Sequence, residues 1–126
     1  MGANSGQPVR PQVQKAHFQK EWTTQETTNA YVTLGTVWDK SGFLNGTIQL
    51  WNTDGANSID YQILGSLDGT NYDITVQAET AIASGGNDLV NVGGVSDAPY
   101  IPYLKIQIKS TVADTPGDVN AFGVCI

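Results

Sequence analysis

Apolar and polar residues alternate with a period of two along most of this chain. Leu104, Ile106 and Ile108 alternate with Lys105, Gln107 and Lys109. Ile59, Tyr61 and Ile63 alternate with Asp60 and Gln62, and Ile74 and Val76 with Asp73, Thr75 and Gln77. Ile48 and Leu50 alternate with Thr47, Gln49 and Trp51, and Val32 and Leu34 with Tyr31 and Thr33. Successive side chains of a strand point to opposite faces, so this pattern predicts half-buried strands. A first strand is expected from about Phe18 to Thr24, where Phe18, Lys20 and Trp22 alternate with Gln19, Glu21 and Thr23. Val90 and Val92 mark a shorter strand, and Val119 to Ile126, apolar at both parities, reads as a strand buried on both faces. No segment carries a helical period, and Glu79 to Ser84 is too short for a helix.

Turn residues punctuate these runs: Lys40-Ser41-Gly42, Thr53-Asp54-Gly55, Asp68-Gly69, Ser84-Gly85-Gly86-Asn87, Gly93-Gly94 and Thr115-Pro116-Gly117-Asp118. About eight short strands at near-regular spacing predict an all-β fold, a single β-sandwich of jelly-roll type. It should occupy residues 16–126. Residues 1–15 are rich in Gly, Pro, Gln and Ser, with Pro8 and Pro11 unsuited to helix or sheet, and are expected to form an extended, flexible arm.

Composition adds one fact to this picture. Charged residues are only 14% of the chain, below the roughly 25% of an average domain, so Thr, Asn, Gln and Ser must supply the polar surface. The few charges are segregated. Residues 1–20 hold Arg10, Lys15 and Lys20 and no acid, whereas the rest holds all 12 acids and only Lys40, Lys105 and Lys109. The formal charge is therefore +3 on the arm side and −9 on the body. An acidic body repels nucleic acid, and no run of apolar residues approaches a membrane span. The first residues have no apolar core to mark a secretory signal, and one cysteine, Cys125, permits no internal disulfide.

Candidate chemistry is sparse. His17 is the only imidazole, with no nucleophile motif near it, and Cys125 reads as a small core residue. Most acids stand beside Gly or Asn, where Asp serves turns for backbone reasons. No enzymatic activity, cofactor or metal is expected. Asp68, Asn71 and Asp73 could offer oxygens to calcium, but their spacing is not that of an EF-hand, and a polar hairpin turn accounts for them. Asn45-Gly46-Thr47 matches a glycosylation sequon and reads as a turn. Trp51, Tyr31 and Tyr103 fall on the parity opposite the aliphatic core positions, so they should face outward, to a subunit contact or, alternatively, to a glycan. The expected partner-binding residues are Val9, Arg10, Lys15 and Lys20 of the cationic segment, with Trp51 and Tyr103.

The run Tyr61-Gln62-Ile63-Leu64-Gly65-Ser66-Leu67-Asp68-Gly69-Thr70-Asn71-Tyr72 resembles a strand–Asp-Gly–strand phrase of small β-sandwich proteins, and Pro102 to Ser110 resembles its companion strand. The phrase occurs in bacteriophage virion proteins, including head decoration proteins and tail-associated modules, and in discoidin-like carbohydrate-binding modules. The virion resemblance implies a structural protein that binds the major capsid protein and cements the head, with trimers and extended arms common in that family. It implies a location in the virion, assembled in the host cytoplasm. The alternative implied is a carbohydrate-binding module or a tail or fibre component. The phrase is structural, so it assigns no binding residue.

Overall fold

The computed structural model describes residues 18–93 and 100–126. These form the strands β1 (Phe18–Glu26), β2 (Val32–Thr33), β3 (Trp38–Asp39), β4 (Gly46–Asn52), β5 (Ile59–Ser66), β6 (Ile74–Ile82), β7 (Asn87–Asn91), β8 (Tyr103–Ser110) and β9 (Asp118–Cys125), with no helix among the described residues. The expected arm, residues 1–15 with Val9, Arg10 and Lys15, lies outside the described residues, as does His17 after it.

All strand pairs are antiparallel, in two sheets ordered β1-β9-β4-β7 and β2-β8-β5-β6, with β3 also pairing β8. β2 and β3 are two pieces of one strand position, since Val32 and Thr33 pair with Ile108 and Gln107, and Trp38 and Asp39 with Leu104 and Tyr103 further along β8. Counted so, the chain is one long hairpin rolled up: first strand against last, second against next to last, third against sixth and fourth against fifth. That is the jelly-roll arrangement, and the expected all-β sandwich is the observed one.

The break between β2 and β3 has a local cause. Leu34 continues the ladder through its N–H to Ile106 O at 2.8 Å, after which Gly35 takes a left-handed φ of +55° and the strand steps away. Side chains of β1 stitch the gap. Gln25 donates to Thr33 O and accepts from Gly35 N–H, and Trp22 Nε1 donates to Thr36 O at 3.1 Å.

Between the sheets, the inward residues of the alternating strands meet as predicted: Ile48, Leu50, Ile59, Ile63, Leu104, Ile106 and Ile108 are fully buried. Trp22 and Trp38 pack edge to face with ring centroids 5.6 Å apart. They fit because β9 offers Gly123 beneath them, where a Cβ would stand 2.7 Å from Trp38 Cζ3. Tyr61 spans the core and donates its hydroxyl to the Asp88 carboxylate on the facing sheet. Burial and that carboxylate together raise the Tyr61 pKa.

Two expectations need correction. The segment Val119 to Ile126 is not buried on both faces: Val119, Ala121, Gly123 and Cys125 face the core, while Phe122 and Val124 face out. Both parities are apolar because β9 is an inner strand of the sheet and carries part of an apolar outer face. Strand β6 also runs beyond the predicted Gln77 to Ile82, because Tyr61, Asp60 and Ile59 pair with Thr80, Ala81 and Ile82 across bulges.

Candidate functional site

Three surface regions can be built from these elements. The first is the outer face of the β1-β9-β4-β7 sheet. The register sets Glu21 beside Phe122, Phe122 beside Gln49 and Gln49 beside Leu89 in one row across all four strands. In the adjacent row, Asn120 stands beside Trp51 and Trp51 beside Asn87. The result is a strip of Trp51, Phe122, Leu89 and Val124, with Leu89 66% exposed, set among Thr, Gln and Asn. Towards β1 the face deepens into a groove of about 610 Å³ walled by Thr23, Thr24, Trp51, Thr53, Asn120 and Phe122, with Glu21 at its side. The register of β1 on β9 shifts between Trp22 and Gln25, beside the groove-lining Thr23 and Thr24.

The second region is the outer face of the other sheet, and it differs in chemistry. Tyr103, Lys105, Gln107 and Lys109 project from β8. Lys109 lies 5.1 Å from the Tyr31 ring and 3.7 Å from Glu79 Oε1, and Tyr31 donates its hydroxyl to the same oxygen at 2.6 Å. Desolvation, then Glu79, raises the Tyr31 pKa. Lys105 covers the Tyr72 ring, and Gln62 bonds Gln107 across the strands at 2.7 Å. Here each charge is already engaged.

The third region is one end of the sandwich. Phe18 at the start of β1 stacks on Phe43 with centroids 5.6 Å apart. Leu44, 61% exposed, and Asn45 donate their backbone N–H groups to Ile126 O, and the Tyr100 hydroxyl accepts from Gly42 N–H. Phe18, Phe43, Leu44, Tyr100 and Ile126 thus gather at the end of the sandwich where β1 begins. Beneath them the side chain of Lys40 is wholly buried, with Nζ 3.5 Å from Phe43 O and 5.0 Å from the Tyr100 ring, and among the described residues no carboxylate pairs with it. Burial pushes the Lys40 pKa down. Cys125 is a buried core residue, and its thiol pKa is raised by burial.

The opposite end is polar and closed. Thr27 Oγ1 shares a hydrogen bond with Ser110 Oγ at 2.9 Å and accepts Gly117 N–H at 2.9 Å. Asn52 donates to Asn57 O and Ile82 O and accepts from Asp54 N–H.

The sequence-predicted residues therefore part company. Trp51 and Tyr103 do face outward, but from different sheets, so they belong to no common site. Lys20 is engaged within the chain: Nζ donates to Thr36 Oγ1 at 2.6 Å and lies 5.7 Å from the Trp22 ring. In the Asp68 turn, the carboxylate accepts Thr70 N–H, Asn71 N–H, Asn71 Nδ2 and Ser66 Oγ. These bonds hold the carboxyl well below the usual range. They spend its oxygens on the turn, and no cluster of three ligating side chains occurs among the described residues. Periodicity did not point to Phe122 and Leu89 as neighbours of Trp51, because they join it only through the register of β9 and β7.

No family model matches the chain, and no curated protein matches it by sequence. Solved structures do resemble it. A subunit of Bacillus endospore appendages, described as disulfide-linked pili, aligns with 94% of this chain and 96% of its own at 13% identity and a TM-score of 0.54. A chain of the T13 infectious bursal disease virus particle aligns with 88% of this chain at 12% identity and a TM-score of 0.49, and this chain spans 31% of its length. A family two carbohydrate esterase from Cellvibrio japonicus aligns at 12% identity and a TM-score of 0.38, and this chain spans 33% of it. At such identity the end-to-end match with the appendage subunit is a likeness of fold, and it establishes the β-sandwich and nothing finer.

Proposed function

We propose that this chain is a structural, non-enzymatic subunit of a virus particle, a head decoration protein that binds the capsid lattice and cements it. The observation that carries this reading is the apolar end of Phe18, Phe43, Leu44, Tyr100 and Ile126, at the start of β1, the strand that follows the cationic segment in sequence. Exposed apolar side chains gathered at one site mark a contact surface. The charge asymmetry suits docking of the N-terminal segment, with Val9, Arg10 and Lys15, on an acidic neighbour, either the major capsid protein or another copy in a homo-oligomer, with a trimer favoured by the family resemblance. The jelly roll suits the role, since its two packed sheets make one body from which loops and an outer face can meet a lattice. Many such contacts repeated by symmetry would hold the lattice by avidity.

Cryo-EM of purified particles with and without this chain tests the proposal. Density for the sandwich at symmetry-related lattice positions is expected, with loss of binding on deletion of residues 1–15. Particles that never contain the chain would end it.

A further inference from the structure

We infer that the groove between β1, β9 and β4 binds a neutral oligosaccharide, with Trp51 as the stacking platform. The inference does not rest on the proposed structural role, which uses the apolar end and the N-terminal segment. Its first support is the lining. Thr23, Thr24, Thr53 and Asn120 bring hydroxyls and an amide to the groove, beside the half-exposed indole of Trp51 and the ring of Phe122. A pyranose needs that mixture, because its ring presents C–H groups on its faces and hydroxyls around its edge. The indole meets a face and the polar groups meet the edge.

The second support is hydrogen-bonding capacity. The side chains of Thr23 and Glu21 and the Nε1 of Trp51 form no hydrogen bond within the described residues, and the side chain of Asn120 makes one long bond, its amide 3.3 Å from Thr24 Oγ1. By contrast, the polar groups of the opposite sheet are paired with one another, Gln62 with Gln107 and Tyr31 with Glu79.

The third support is charge. Among the described residues the groove is lined by no lysine or arginine and by a single carboxylate, Glu21, so it suits an uncharged ligand and disfavours an acidic one. A protein partner would call for a dry apolar centre of larger area, whereas here polar side chains stand between the rings. Three neighbouring strands span roughly 10 Å, and the volume of about 610 Å³ falls within the range of small-ligand sites. Together these fit about two sugar rings lying across the strands.

Trp51 is also the reporter. Of the three tryptophans, Trp22 and Trp38 are buried and Trp51 is the accessible one; Trp22 backs the groove, so the emission change is read beside calorimetry of Trp51→Ala. The full chain is titrated with cellohexaose, maltohexaose, chitohexaose and galactohexaose, and with polygalacturonate as the acidic control. At least one neutral sugar is expected to shift the emission saturably, with polygalacturonate weaker. Trp51→Ala should abolish binding measured by calorimetry, Asn120→Ala should weaken it about tenfold, and Trp51→Tyr should retain part of it, each with an unchanged far-ultraviolet circular dichroism spectrum. Silence with all four neutral sugars overturns the inference. So do equal binding by Trp51→Ala and preference for polygalacturonate. A loss of self-association in Trp51→Ala without any sugar binding would assign the face to a protein contact instead. Leu44→Asp, at the far apolar end, should leave sugar binding intact, which separates this site from the proposed lattice contact.

Discussion

Lys40 is the least expected residue in the core. Its side chain is 0% exposed, its neighbours include a carbonyl oxygen and the Tyr100 ring, and among the described residues no carboxylate pairs with it. A buried charge without an ionic partner is a destabilising feature. Replacing it with an apolar side chain of similar length, Lys40→Met, is expected to stabilise the fold by about 1–4 kcal/mol near neutral pH. The pH dependence has a definite sign. Burial lowers the folded pKa, so the folded state gives up this proton before the unfolded state does. Stability of the parent chain rises as pH climbs from the folded value towards the ordinary lysine value of about 10.4. The advantage of Lys40→Met should therefore shrink between neutral pH and about pH 10. Urea denaturation of both proteins across that range measures it, and an advantage that grows with pH would contradict the assignment. Gly123 is the converse case, where nothing can be added. A Cβ there would meet both Trp38 and Trp22, at 2.7 and 3.1 Å. Gly123→Ala is expected to cost about 1–3 kcal/mol, read as a lower urea midpoint with an unchanged slope.

At the scale of elements, legibility in the sequence followed length and burial. β8 was plain because it has one face in the core and one half-open to solvent, the condition that produces strict alternation, and β5 was plain from the core parity of Ile59, Tyr61 and Ile63 although its other face is largely covered. β3 was invisible because two residues, Trp38 and Asp39, carry no period. The outer face of β9 was misread because Phe122 and Val124 look like core residues until the register places them beside Trp51, Gln49 and Thr47. The groove was hidden for the same reason, since its walls come from strands far apart in the chain. The polar end was likewise unreadable, as Thr27, Ser110 and Gly117 lie on separate segments. Its weight is testable. Thr27→Val keeps the shape and removes the oxygen that accepts Gly117 N–H and bonds Ser110. A loss of about 1–3 kcal/mol is expected from the stranded partners. Native-state hydrogen exchange should show faster exchange of the Gly117 amide than in the parent chain.

At the scale of the whole molecule, the two ends of the sandwich divide stability from association. The end built on Thr27 and Asn52 is buried and fully hydrogen-bonded, so it holds the sheets together and offers little to a partner. The end built on Phe18, Leu44 and Ile126 leaves apolar surface in water, which contributes little to the isolated fold and gains only when covered. Substitutions at the two ends should therefore separate the two properties. Leu44→Asp combined with Ile126→Ser is expected to leave the melting temperature within about 2 °C of the parent, because neither side chain is in the core. The same pair should weaken particle binding or self-association by at least about tenfold if it removes roughly 1.4 kcal/mol of contact per subunit, and repetition over a lattice multiplies that loss. Thr27→Val should do the reverse, lowering the melting temperature while the folded fraction binds as before. Raised salt should weaken association of the full chain more than that of a chain lacking residues 1–15, because Arg10 and Lys15 give that segment +2 against the acidic body of a neighbouring copy and screening acts on that attraction. Sedimentation of the chain with particles, at low and high salt, reads both effects. Equal loss of binding at either end, or none at the apolar end, would remove the apolar end from the contact and leave the N-terminal segment alone to hold the subunit in place.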